Sequence, residues 1–177
     1  MRNAIQTSGY KMSTSTINLS DLNGTNGFTI NGIDAYDYSG NSVSSAGDVN
    51  GDGIDDLIIG ADGADPDGKY GAGESYVVYG SDTRSAAALD LSDLNGTNGF
   101  QINGIDARDY SGISVSSAGD VNGDGIDDLI IGAYLADPDG NSQAGESYVV
   151  YGSDTRSASE LDLSDLNGTN GFTINGI

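Results

Sequence analysis

The feature that most constrains the fold of this chain is an internal repeat of 72 residues. Residues 17–88 align with residues 89–160 without a gap, and 60 of the 72 aligned positions are identical. A third, partial copy begins at Leu161, so the phrase LSDLNGTNGF occurs three times, at 19–28, 91–100 and 163–172. A repeat of this length predicts an array of similar units, stacked or arranged radially, instead of one globular core.

Each unit contains four short segments with the residue preferences of β-strands. The segments are bounded by Gly, Asn and Asp, which favour turns, and no stretch has a sustained helical period. They are SVSSAGD at 42–48, DLIIGA at 56–61, ESYVVYG at 74–80 and GFTINGI at 27–33. Four short strands per unit is the pattern of a β-propeller blade, so we expect an all-β fold of four-stranded antiparallel blades.

The order of these strands predicts where the units begin. If GFTINGI is the outer strand of a blade, one blade spans 34–105 and the next spans 106–177. Residues 17–33 are then a surplus outer strand of a preceding blade, expected to add to the sheet of another chain or to lie unpaired. Residues 1–16 do not match the repeat and are expected to be an N-terminal tail.

Two blades are too few to close a propeller, which needs at least about four. We therefore expect either a part of a larger propeller or a chain that closes a ring as a homo-oligomer. In both cases the apolar flanks of the two blades would pack against neighbouring blades, because exposed apolar patches drive association.

Composition excludes several classes of function. The chain has 27 Asp and Glu against 6 Lys and Arg, a formal charge of −21, which disfavours nucleic acid and anionic membranes as partners. It has no His and no Cys, which excludes catalysis by Ser-His-Asp or Cys-His and metal sites built on imidazole or thiolate. No apolar run approaches the roughly 18 residues of a membrane span, and no signal peptide is visible at the N-terminus.

The abundant carboxylates are concentrated in one motif, DVNGDGIDD, at 48–56 and 120–128. Oxygen-bearing side chains fall at positions 1, 3, 5 and 9 of this loop, and Gly at position 6 permits a turn that brings the carbonyl of position 7 towards them. Such a set suits a hard cation, so we predict two calcium sites, with a turn that binds no metal as the alternative. The predicted ligands are Asp48, Asn50, Asp52, Ile54 and Asp56 in the first loop, and Asp120, Asn122, Asp124, Ile126 and Asp128 in the second.

The loop is not an EF-hand, because its position 12 is Ile59 or Ile131 where an EF-hand needs Glu. The longer phrase YSGNSVSSAGDVNGDGIDDLIIGAD resembles the FG-GAP repeat of integrin alpha chains and of bacterial surface proteins. The resemblance covers 34–80 and 106–152, although both units lack the Pro of the Gly-Ala-Pro motif at Gly60-Ala61-Asp62 and Gly132-Ala133-Tyr134. It implies a β-propeller with calcium in the hairpin between the first two strands of a blade.

Other candidate sites have plainer interpretations. The pairs Asp65–Asp67 and Asp137–Asp139 could hold a second cation, but a Pro-containing turn is favoured. Glu74 and Glu146 could act as acid and base in a glycosidase, but solvated strand ends are favoured. The sequence Asn-Gly-Thr could accept a glycan, but a tight turn is favoured. The tyrosines at 76, 79, 148 and 151 are expected to pack between blades in preference to stacking on a sugar.

These observations predict a calcium-binding β-propeller module with a structural or adhesion role at the cell surface or outside the cell. Its protein or glycan ligand is not specified, although the sequence differences between units concentrate at 62–63 and 69–71, a candidate recognition face. The alternative is an accessory or catalytic propeller of a polysaccharide-acting or phospholipase-type enzyme. Because no nucleophile with an activating base can be identified, we expect the chain not to be an enzyme.

Overall fold

The computed structural model describes residues 16–177, so the predicted tail at 1–16 lies, apart from Thr16, outside the described residues. The chain is all-β, as expected, and its described residues form three sheets with short 3₁₀ turns outside the strands. The strands are β1 (Thr29–Asn31), β2 (Ser42–Gly47), β3 (Asp56–Ala61), β4 (Glu74–Val78), β5 (Ala88–Asp90), β6 (Gly99–Asn103), β7 (Ser114–Gly119), β8 (Asp128–Ala133), β9 (Glu146–Val150), β10 (Glu160–Asp162) and β11 (Gly171–Asn175). The 3₁₀ turns are Leu19–Asp21, Pro66–Gly68, Leu91–Asp93, Pro138–Gly140 and Leu163–Asp165.

The two full units fold in the same way. In the first sheet, β2, β3, β4 and β6 pair antiparallel in that order, and in the second sheet β7, β8, β9 and β11 do the same. The four segments predicted from each unit are therefore the four antiparallel strands, and the last of them is GFQIN in the first sheet and GFTIN in the second. Each first strand contains a bulge just before the aspartate-rich loop, at Ser45/Gly47 and at Ser117/Gly119.

A short strand that sequence analysis did not predict links successive units. In the first sheet β10 pairs parallel with β6, and β5 pairs parallel with β1 in a separate two-stranded sheet. The segment 17–33 is not unpaired in this chain, because its strand β1 pairs with β5. The three residues of β5 and β10, ALD and ELD, are too few to show an alternating pattern.

The core lies between the two sheets. Ile58, Val77 and Phe100 of the first sheet belong to the same buried cluster as Leu129 and Tyr148 of the second. A smaller cluster, including Ile59, Tyr76 and Val78, lies on the other face of the first sheet, where Ile30 of β1 packs against it. Burial of apolar surface between successive units thus stabilises the array.

Candidate metal centre

The two aspartate-rich loops occupy equivalent places, each joining the first and second strands of its sheet. Loop A (residues 48–55) follows β2, and loop B (residues 120–127) follows β7. The bulge ahead of loop A leaves Gly47 with a φ of +73°, a conformation that favours glycine. The local sequence thus places both predicted sites in the hairpins that the resemblance implied.

Loop A is curled around its own carboxylates. The main-chain amide of Asp52 donates to Asp48 Oδ1 at 3.0 Å and to Asn50 Oδ1 at 2.9 Å. The amide of Gly53 donates to Asp48 Oδ2 at 2.8 Å, and the amide of Ile54 donates to Asp52 Oδ1 at 2.9 Å. The side chains at positions 1, 3 and 5 are therefore held on the inner side of one turn.

Loop B repeats this arrangement. The amide of Asp124 donates to Asp120 Oδ1 at 3.0 Å and to Asn122 Oδ1 at 2.9 Å. The amide of Gly125 donates to Asp120 Oδ2 at 2.9 Å, and the amide of Ile126 donates to Asp124 Oδ1 at 2.9 Å. The geometry thus follows from the local sequence, which is the same in both units.

The aspartate at position 9 lies deeper than the rest of the loop. Asp56 is fully buried, and its carboxylate accepts hydrogen bonds from the amides of Val49 at 3.0 Å and Gly80 at 2.7 Å. Burial raises the pKa of Asp56 to about 6, and the charges of Asp52 and Asp48 act in the same direction. Asp128 is equally buried and accepts from Val121 and Gly152 at 2.8 and 2.9 Å.

The predicted ligands are only partly brought together. Asp48, Asn50 and Asp52 share one turn, whereas Asp56 is engaged with Val49 and Gly80. Within residues 16–177, no three His, Cys, Asp or Glu side chains converge closely enough to hold a metal ion among themselves. The donor chemistry nevertheless fits a hard cation, because the set is entirely oxygen and a carboxylate oxygen that accepts one hydrogen bond keeps a second lone pair.

One functional contact was missed by sequence reasoning. Asp127, which was not among the predicted ligands, joins loop B to loop A: its Oδ2 accepts from the amide of Asp48 at 3.0 Å, and its own amide donates to the carbonyl of Asp48 at 3.1 Å. The amide of Ser153 also donates to the carbonyl of Val49 at 2.9 Å. The sequence signal was the first Asp of the Asp-Asp pair that ends each motif, but the partner of Asp127, Asp48, lies 79 residues away.

The predicted turns are confirmed. Asp65 accepts from the amide of Gly71 at 2.6 Å and precedes the 3₁₀ turn at Pro66–Gly68, which is a structural role. Asn23 Oδ1 accepts from the amide of Thr25 at 3.0 Å, so this Asn-Gly-Thr sequence forms a tight turn.

The interpretation of Glu74 as a solvated strand end was wrong. Glu74 is buried, and the hydroxyl of Tyr76, also buried, donates to its carboxylate. Burial raises the pKa of Glu74, although the bond from Tyr76 opposes the shift. Tyr148 makes the same bond to the half-buried Glu146. Of the four tyrosines expected between units, those at 76, 79 and 148 are buried, and Tyr151 is half-buried.

A family model described as the FG-GAP repeat matches the chain twice, at residues 39–78 and 111–150. The chain is 35% identical to integrin alpha-PS2 of Drosophila melanogaster over 130 residues, which is 71% of the chain and 8% of that protein. It is 36% identical to the phosphatidylinositol-glycan-specific phospholipase D of Mus musculus over 112 residues, 63% of the chain and 13% of that protein. It is also 34% identical to integrin alpha pat-2 of Caenorhabditis elegans over 103 residues, 58% of the chain and 8% of that protein.

The chain therefore spans only a small part of the relatives that it matches. Each alignment leaves most of the relative uncovered. Within residues 16–177, no helix is long and apolar enough to cross a lipid bilayer.

Proposed function

From the premise that this chain carries two FG-GAP repeats, we propose that it is a calcium-binding β-propeller module with a structural or adhesion role at the cell surface or outside the cell. The observation that carries the proposal is the repeated turn in which Asp48, Asn50 and Asp52, or their equivalents in loop B, are held on one side by main-chain amides. The relatives named as integrins support the adhesive role.

In each unit, three carboxylates, one amide oxygen and one carbonyl would hold the ion. They are Asp48, Asn50, Asp52, the carbonyl of Ile54 and Asp56 in loop A, and Asp120, Asn122, Asp124, the carbonyl of Ile126 and Asp128 in loop B. Calcium would supply positive charge that offsets repulsion among the aspartates. With the position-9 aspartate at the start of the second strand as a ligand beside those of the turn, the ion would tie the first and second strands of each unit together.

Calcium binding is tested by titration calorimetry on folded, metal-free protein. We expect two calcium ions per chain, with dissociation constants on the order of 0.1–1 mM, and a higher melting temperature in millimolar calcium, because the ion binds the folded loop only. Magnesium should stabilise less, because it demands a tighter octahedral geometry.

Single substitutions assign the two sites. Asp52→Ala and Asp124→Ala should each leave one calcium ion per chain, whereas Asp82→Ala, an exposed aspartate outside both loops, should leave two. Asp82→Ala removes the same charge, so it separates loss of a ligand from loss of general electrostatic attraction. Absence of calcium binding by folded wild-type protein would refute the proposal.

The relatives named as phospholipase D favour a second candidate, a propeller that accompanies an enzyme. We propose that this chain itself has no catalytic role, since Glu74 is paired with Tyr76 and the chain has no His or Cys. The isolated chain should not hydrolyse a glycan or a phosphoester. Turnover that is abolished by Glu74→Gln or Glu146→Gln would support the enzyme instead.

A further inference from the structure

The first unit has an open cavity at a place that is filled in the second unit. The cavity measures about 350 Å³, and its lining includes Ile54, Asp55, Leu57 and Ser81. At the equivalent place in the second unit lie Ile126, Asp127 and Ser153, and there loop A is the occupant. Loop A is held by the hydrogen bonds between Asp48 and Asp127 and between Val49 and Ser153 described above.

Loop B is the equivalent of this occupant, and within residues 16–177 it fills no such cavity. Its Val121 is 49% exposed, whereas Val49 of loop A is 3% exposed. The four residues Asp-Val-Asn-Gly are identical at 48–51 and 120–123, so loop B carries the groups with which loop A fills the second unit. An open cavity and its matching occupant therefore lie at opposite ends of the same molecule.

The sheet faces at the two ends are complementary for the same reason. Val43 and Leu57 are exposed on the first sheet, while their equivalents Val115 and Leu129 are buried in the cluster between the sheets. Ile174 is exposed on the second sheet, while its equivalent Ile102 is buried in that cluster. The interface inside the chain thus serves as a template for an interface between chains.

We propose that a second copy of this chain docks head to tail, with its loop B in the cavity and its second sheet against the first sheet of its neighbour. The amide of Asp120 then donates to the carboxylate of Asp55 of the neighbour, as the amide of Asp48 donates to Asp127 within the chain. The amide of the neighbour's Ser81 donates to the carbonyl of Val121, as that of Ser153 donates to Val49. Such an interface joins two different surfaces, so it propagates into rings or longer assemblies.

Docking requires that strand β1 be displaced from β5. The segments 19–33 and 163–177 are identical over 15 residues, and in the docked pair both would occupy the place beside β5 of the neighbour. Among the described residues β1 pairs only with β5, over three residues, whereas β11 pairs with β9 over five. The incoming β11 therefore keeps β9 and displaces β1 from β5.

Engineered disulfides test this geometry, because the chain has no cysteine of its own. Within the chain, the amide of Val115 donates to Ser42 Oγ at 3.1 Å, and Thr29 is the register partner of Ala88. The double variants Ser42→Cys/Val115→Cys and Thr29→Cys/Ala88→Cys should therefore cross-link within one chain, and they serve as controls. The equivalent pairs between chains are Val43→Cys/Ser114→Cys for docking and Ala88→Cys/Thr173→Cys for strand replacement.

The cross-linking is carried out in 2 mM calcium chloride and 150 mM sodium chloride, which limits repulsion between acidic chains to about 8 Å. We expect covalent dimers and higher multiples from both between-chain variants, and monomers only from both controls. Uncross-linked wild-type protein should show a mass that rises with concentration in light scattering.

Folded between-chain variants that yield no multimers, or a wild-type chain that stays monomeric at 18.0 kDa, would overturn the proposal and assign the cavity to a further unit of a longer protein. Multimers from the docking pair without any from the strand pair would also overturn it. The inference does not depend on calcium binding, so calorimetry can refute the proposed function while the disulfides still form.

Discussion

Val43 and Val115 are the same residue of the same repeat, yet Val43 is 65% exposed and Val115 is 6% exposed. Leu57 and Leu129 differ in the same direction, at 38% and 1%. The local sequence around each pair is the same, and so is the strand that carries it. The difference arises because the first sheet covers the second, while among the described residues nothing equivalent covers the inner strands of the first.

The comparison teaches that a residue in this array obtains its burial from the neighbouring unit more than from its own. Ile102 and Ile174 show the reverse asymmetry, at 1% and 47% exposed, because the second sheet covers the first and, within residues 16–177, no sheet covers the outer face of the second. In such an array stability is approximately the sum of unit terms and interface terms. Identical substitutions in the two units should therefore have different effects.

The largest difference is expected from Leu129→Ala compared with Leu57→Ala. Leu129→Ala removes a fully buried side chain from the core between the sheets and should lower the free energy of unfolding by about 2–5 kcal/mol. Leu57→Ala should cost about 1 kcal/mol or less, because much of this side chain already contacts water. Urea unfolding at a concentration where the protein is monomeric measures both, and equal losses would break the comparison.

An intermediate difference is expected from the hydrogen bond between the loops. Asp127→Ala removes the acceptor of the Asp48 amide and should cost about 1–3 kcal/mol. Asp55→Ala changes the equivalent, exposed residue and should alter stability by no more than about 0.5 kcal/mol. Neither residue is a predicted calcium ligand, but Asp127 contacts the predicted ligand Asp48. The measurement is therefore made without calcium. An equally destabilising Asp55→Ala would show that these aspartates act within their own loops.

The smallest difference concerns pH. Burial raises the pKa of Asp109 to about 6, and the charges of Asp106 and Glu146 act in the same direction. Burial also raises the pKa of its equivalent in the first unit, the half-buried Asp37. The folded state then holds a proton that the unfolded chain releases near pH 4, so stability is lost as the pH rises from about 4 to 6.

Asp109→Asn removes this loss. After allowance for solvent screening, it should raise stability at pH 7 by less than about 1 kcal/mol, or by about 2–4 °C at most, and should have no effect below pH 4. Asp37→Asn should do less. Melting curves at pH 4 and pH 7 for both variants measure the difference, and an effect of Asp109→Asn that is independent of pH would contradict the assignment.

The sequence predicted the elements that depend on local chemistry. The apolar run DLIIGA, the Tyr- and Val-rich segment ESYVVYG and the Gly and Asp residues around them predicted β3, β4 and their equivalents within about two residues at their ends. The spacing of Asp48, Asn50 and Asp52 predicted a turn that gathers their oxygens. These features need only contacts between residues that are close along the chain.

Contacts between units could be seen only in the tertiary structure. The pairing of β1 with β5 and the bond from Asp48 to Asp127 join residues 59 and 79 positions apart. Glu74 is buried in β4, which lies between β3 and β6, and its register partners Ala61 and Asn103 are 13 and 29 residues away. Because the same residues occur at equivalent positions of each unit, the sequence alone predicts the same environment for Val43 and Val115. Only packing, which requires a neighbour on each side, makes one of them core and the other surface.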